Sequence, residues 1–159
     1  MTNSKKTQSG FTLIEILVVI GLIAILAAIV IIAINPAKQF AQARNTTRES
    51  NVNTMLNAIG QRIAENKGVF NGGTPNCPAL PSSDTDIKDT GGVDLSCLTP
   101  TYIPSQLPVD PSNGAWASAS SYDTQYHVFQ DATTGRVTVC APNHAETAIP
   151  GAATYCLTR

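Results

Sequence analysis

The sequence predicts an α+β protein in which the second half of one long N-terminal helix packs on a small antiparallel β-sheet. Three patterns carry this. Residues 11–34 form an aliphatic run broken only by Thr12, Glu15 and Gly21. Val52, Leu56, Ile59 and Ile63 then recur at helical spacing, with Met55 beside them, drawing one apolar stripe. Near the C-terminus, residues 125–130 and 136–140 alternate as strands do around residues 131–135, a hairpin connection ending in Gly135.

A chain of 159 residues has room for one domain and one further segment of simple shape. Four regions follow from composition: a polar, basic tail over 1–10, an apolar helix over 11–35, an amphipathic stalk helix over 36–67 and a disulfide-stapled head over 68–159. The formal net charge of −1 hides a split between basic residues in 36–67 and an acidic head carrying eight of the eleven Asp and Glu. A nucleic-acid binder would concentrate positive charge on the folded domain, so no direct nucleic-acid binding is predicted.

The apolar run gives about 36 Å of helix against about 30 Å of hydrocarbon, enough to span a bilayer. A secretory signal would have a shorter apolar core and a small-x-small cleavage site after it, which Asn35-Pro36-Ala37 does not supply. Lys5 and Lys6 before the run are matched by Lys38, Arg44 and Arg48 after it, so flanking charge does not set orientation. The cysteines and the foldable C-terminal part place the head outside the cytoplasm.

Pro36 removes a backbone donor and disfavours helix at Asn35, yet 37–67 is otherwise helix-compatible, which predicts one long, locally weakened helix. The stripe from Val52 to Ile63 should lie on the head. Residues 37–50 show no comparable stripe beyond Phe40 and several alanines. Gly68 can take the left-handed conformation that ends a helix. Residues 71–121, rich in Gly, Pro, Ser and Asp, read as a long loop region with one short element near 98–102. Residues 154–157 supply a third strand. Alternation sets Tyr126 and Val128 opposite His127 and Phe129, and Val137 and Val139 opposite Thr138 and Cys140, without saying which face meets the helix.

The four cysteines contain no C-x-x-C pair, which favours disulfides over a zinc ribbon or a redox motif. Of three possible connectivities the two short sequential loops, Cys77–Cys97 and Cys140–Cys156, are favoured, each contributing about 3 kcal/mol. Zinc held with His144 is the weaker alternative. Asp84, Asp86, Asp89 and Asp94 suggest a calcium loop, but Lys88 occupies a ligand position, so a solvated acidic loop is preferred and no metal is assigned. Nucleophile-elbow, zincin, phosphate-loop and dinucleotide motifs are missing from the sequence. No catalytic set emerges, and neither an enzyme nor a cofactor is predicted.

Gly10-Phe11-Thr12-Leu13-Ile14-Glu15, followed by the aliphatic run, resembles the type III signal of type IV pilins and type II secretion pseudopilins. The resemblance is close over residues 5–40. It implies that Gly10 is the last leader residue, that a prepilin peptidase/methyltransferase cuts before Phe11, and that Phe11 becomes the N-methylated first residue. Local chemistry agrees: Gly10 puts no Cβ beside the scissile bond, and Lys5 and Lys6 hold the leader among headgroups.

A carboxylate such as Glu15 inside a lipid-facing helix costs on the order of 2.5–3.5 kcal/mol near the bilayer centre and less near its edge. The resemblance implies that Glu15 pairs with the Phe11 amine of a neighbouring subunit. Thr12-x-x-Glu15 is also a capping box, so both roles stand open. Gly21 and Pro36 bracket a stretch that the resemblance implies can unwind during assembly; a simple bend at Pro36 is the alternative. The implied shape is a ladle, with rods inside a filament and heads outside.

The implied partners are other copies of the chain or related pilins, the peptidase, an ATP-driven inner-membrane assembly platform and, before assembly, membrane lipid. The implied location is the bacterial cytoplasmic (inner) membrane, single-pass with the head outside, and then a cell-surface filament. A type II secretion pseudopilin is the neighbouring reading. A membrane-anchored extracytoplasmic enzyme or receptor is the more distant one.

Overall fold

A computed structural model describes residues 10–159, so the leader expected over 1–10 lies, apart from Gly10, outside the described residues. The chain divides into two units, one ending at Gln39 and one running from Phe40 to Arg159.

In the first unit, helix α1 spans Leu13–Ile34 and buries none of its residues. Its apolar side chains, from Leu13 to Ile34, stand exposed all round. Such a helix needs a partner that is not water, because a helix apolar on every face is one that is buried or crosses a membrane. It is long and apolar enough to cross one. Gly21 sits inside it without interrupting it.

Where the sequence predicts one weakened helix, the structure has two. Asn35 adopts a left-handed conformation (φ 47°, ψ 82°) that ends α1, and α2 (Pro36–Glu65) begins at the next residue. The cause is local. Pro36 lacks an N–H and disfavours the right-handed helical region for the residue before it, and asparagine is among the few residues that tolerate the left-handed one. Asn35 then caps the new helix, its carbonyl accepting from Lys38 N at 3.1 Å and its side-chain Oδ1 from the same N–H at 3.3 Å.

In the second unit, the buried face of α2 extends well beyond the predicted stripe. Ala41, Asn45, Arg48, Val52, Met55, Ile59 and Arg62 recur at alternating spacings of four and three, and all are buried. The C-terminus closes with Gly68 N donating to Ile63 O at 2.8 Å. Gly68 has positive φ as predicted, but so does Lys67 (φ 58°), which occupies the first left-handed position of this six-to-one closure.

Five antiparallel strands form one sheet: β1 (Thr85–Lys88), β2 (Ala115–Ser118), β3 (Ser121–Gln130), β4 (Val137–Ala141) and β5 (Tyr155–Thr158), in the order β1-β3-β4-β5 with β2 also paired to β3. Residues 71–121, read from sequence as a loop, thus supply two strands and a 3₁₀ turn at Ser96–Leu98. They also supply Ile87, Leu95, Leu98, Ile103 and Leu107 to the core.

The register left open by alternation is now assigned. Tyr122, Thr124, Tyr126 and Val128 are buried along one face of β3, while His127 and Phe129 lie on the other. Tyr126, Val128, Val137 and Val139 share one apolar cluster with Val52, Met55, Leu56 and Ile59 of α2. Burying a side chain of this size contributes roughly 1.5–3 kcal/mol, so this seam between helix and sheet is what makes the head fold.

Candidate functional site

Around the start of α1 stand three of the residues singled out in the sequence, Gly10, Phe11 and Glu15. Gly10 is exposed, lies outside any helix and has open space where a Cβ would be. Phe11 is 86% exposed. Thr12 is the N-cap, with extended φ and ψ, and its Oγ1 accepts from Glu15 N at 3.3 Å. The Glu15 carboxylate reaches back, accepting from Thr12 N–H at 2.7 Å and from Thr12 O–H at 2.8 Å.

Both of the latter bonds end on one oxygen, Oε2. Among the described residues nothing donates to Oε1. A cut between Gly10 and Phe11 would leave Thr12 N–H an amide and the capping box intact, with one carboxylate oxygen still able to accept from an ammonium. Capping and pairing with another chain are therefore compatible. The Thr12-x-x-Glu15 pattern had left both roles open.

Gly21 and Pro36 are farther along the chain, at the middle of α1 and the start of α2. The cysteines lie in the second unit, where Cys77 is bonded to Cys97 and Cys140 to Cys156. His144 stacks on Tyr155, with ring centroids 5.4 Å apart, and faces Glu49 Oε1 at 3.1 Å. The four aspartates of the suspected calcium loop serve separate ends. Asp84 and Asp86 flank His127, Asp86 also binds Lys88, Asp89 accepts from Tyr122 N–H and Asp94 accepts from Tyr122 O–H. Among the described residues no cluster of three metal-ligating side chains is found.

Sequence reasoning missed a buried ionic cluster on α2. Arg48 donates from Nε to Asp110 Oδ2 at 2.6 Å, from Nη1 to Glu146 Oε1 at 2.6 Å and Asn45 Oδ1 at 2.8 Å, and from Nη2 to Ser112 Oγ at 3.1 Å. Arg44 adds a two-bond clasp on Glu146 at 2.6 and 2.8 Å. Burial opposes the Arg48 charge, but the bonds to Asp110 and Glu146 outweigh it and raise its pKa. Burial likewise opposes the Asp110 carboxylate, and the Arg48 guanidinium with the N–H groups of Ser112 and Asn113 lowers its pKa regardless. Arg44 first and Arg48 second hold Glu146 down to about 2.

A second buried arginine, Arg62, gathers the chain after α2. It donates to the carbonyls of Phe70 and Pro75, each at 2.8 Å, and of Gly72, with its guanidinium 5.5 Å from the Phe70 ring centroid. The available signal was the spacing, since Asn45, Arg48 and Arg62 occupy stripe positions between apolar ones. Among the described residues every buried side-chain N or O has a partner.

Residues 5–34 match the family described as the prokaryotic N-terminal methylation motif. The chain carries the N-terminal motif of type IV pilins. It is 34% identical over 111 residues to a fimbrial protein of Dichelobacter nodosus, the match covering 69% of the chain and 64% of that relative. No solved structure matches it. The matched motif contains α1 and its capped first turn, so likeness and geometry converge on the same residues.

Proposed function

We propose that this chain is a structural subunit of a type IV pilus-like filament, cut between Gly10 and Phe11, N-methylated at Phe11, held in the bacterial inner membrane by α1 with its head outside, and drawn into the filament by an ATP-driven assembly platform. The observation that carries this is α1 itself, a 22-residue helix with no buried residue whose one carboxylate stands in its first turn. Lipid covers such a helix before assembly, and the helices of other copies or related pilins cover it afterwards. Glu15 keeps one oxygen for the Phe11 amine of a neighbour. The subunit performs no chemistry.

A pilus is favoured over a type II secretion pseudopilus by two observations. The relative is named a fimbrial protein, and the aspartates that could hold calcium are committed to other partners. Gly21 and the break at Asn35-Pro36 are the places where the helix yields during assembly, because a Gly costs about 1 kcal/mol and a Pro about 3 relative to Ala in a helix interior.

The test is Glu15→Gln, which retains a side chain able to cap Thr12 but removes the charge. The processed variant should accumulate in the membrane at the wild-type level while its incorporation into sheared filaments falls sharply. Normal incorporation would leave Glu15 as a helix cap and remove the intersubunit pair from the account.

A further inference from the structure

We propose that Cys140–Cys156 is a redox-addressable latch on the segment that clamps α2, open to thiol exchange in the folded head while Cys77–Cys97 is not. The two disulfides differ in where they sit. Cys77 is 2% exposed and belongs to the core cluster, with Cys97 packed against it. Cys140 and Cys156 are directly opposed on β4 and β5, 4.1 Å apart at Cα, between the pairs Val139↔Leu157 and Ala141↔Tyr155. Val139, Tyr155 and Leu157 turn to the core, so strand alternation sends the disulfide to the outer face of the sheet. Cys156 is the exposed partner.

Cys97 is half-buried, but Cys77 behind it lies in the core, so exchange at Cys77–Cys97 must release a thiolate into that core, which requires opening it. Cys156 is open to attack in the folded head, and Cys140, though only 5% exposed, lies outside the core cluster. A small dithiol suffices as reductant: one of its thiolates attacks Cys156 Sγ, a mixed disulfide forms and Cys140 leaves as a thiolate that takes a proton from water. The second thiol, as its thiolate, closes the reductant into a cyclic disulfide and releases Cys156, so two electrons pass from the dithiol to the protein.

The bond closes residues 141–155, the segment that grips α2. His144 O accepts from Asn45 Nδ2 at 2.9 Å, His144 Nε2 faces Glu49, and Glu146 takes both Arg44 and Arg48. Reduction leaves the segment's ends joined by the β4–β5 ladder, including the paired bonds between Val137 and Arg159 at 2.8 and 2.9 Å. The head therefore stays folded, while the end pair Ala141↔Tyr155, now held by the ladder alone, frays more readily and the segment's grip on α2 loosens.

The experiment uses the oxidised full chain in detergent, exposed to limiting dithiothreitol, quenched with iodoacetamide and mapped by peptide mass, with amide hydrogen exchange in parallel. Cys140 and Cys156 should be alkylated at least about tenfold faster than Cys77 and Cys97, as expected for a local rather than a global opening. The head should stay trypsin-resistant while exchange rises over residues 142–153 and not in β3. Alkylation of both pairs together with loss of resistance, or of Cys77 and Cys97 first, overturns the proposal. So does unchanged exchange over 142–153 after selective reduction. The double variant Cys140→Ser/Cys156→Ser should fold and show the raised exchange without reductant; its failure to fold would make the bond structural and end the latch.

Discussion

Arg48 Nε lies 2.6 Å from Asp110 Oδ2, and each of the two side chains is 1% exposed. An arginine buried on the helix and an aspartate from a loop 62 residues away thus form the polar centre of the seam between α2 and the head. A buried ion pair does little for net stability when intact, but removing one partner strands the other charge away from water. Glu146 and Arg44 extend the pair towards solvent.

Arg48→Ala should therefore destabilise the head by about 3–5 kcal/mol, read from urea unfolding followed by tryptophan fluorescence. The double change Arg48→Met/Asp110→Leu should recover most of that loss, because no unpaired charge is then left buried. A loss below about 1 kcal/mol for Arg48→Ala would show the cluster to be solvated.

The same cluster sets the acid limb of stability. Glu146 titrates near 2 in the folded head against an ordinary value of 4.5, so its stabilisation is complete above about pH 4.5 and is lost as pH falls from there towards 2. Asp110, also lowered, adds to the same limb below its ordinary 3.8. Glu146→Gln should flatten the fall in unfolding free energy between pH 4.5 and 2 while lowering the neutral-pH value, measured by denaturant titration at each pH.

Two glycines should respond oppositely to alanine. A Cβ at Gly92 would stand 2.3 Å from the Asp86 carbonyl oxygen, whereas Gly60, inside α2, has open space there. Gly92→Ala should cost about 1–3 kcal/mol by overpacking against β1. Gly60→Ala should stabilise the head by about 1 kcal/mol through helix propensity. Thermal unfolding of the two variants beside the wild type distinguishes these signs.

What was legible in the sequence was whatever is local. The aliphatic run gave α1, the stripe from Val52 to Ile63 gave the seam, and the turn before Gly135 was readable because Asp131 Oδ1 accepts from Thr133 and Thr134 N–H two and three residues on. Strands β1 and β2 were not legible. Each is four residues long, too short to show alternation, and each is held by pairing to β3 more than thirty residues away for β1 and by an irregular hairpin for β2. The burial of Asn45, Arg48 and Arg62 was not legible, because the groups that satisfy them are remote or are backbone carbonyls. At the N-terminus the capping box was legible from Thr12-x-x-Glu15. That only one carboxylate oxygen is consumed by it was not.

The central claim, that this chain is cut before Phe11 and works as a filament subunit, is tested most directly by the intact mass and N-terminal peptide of the protein recovered from sheared surface filaments. The account predicts a chain beginning at N-methylated Phe11, with Glu15 in its first helical turn. Filament-borne protein that still begins at Met1, or purified filaments lacking the chain while it remains uncut in the membrane, would contradict it.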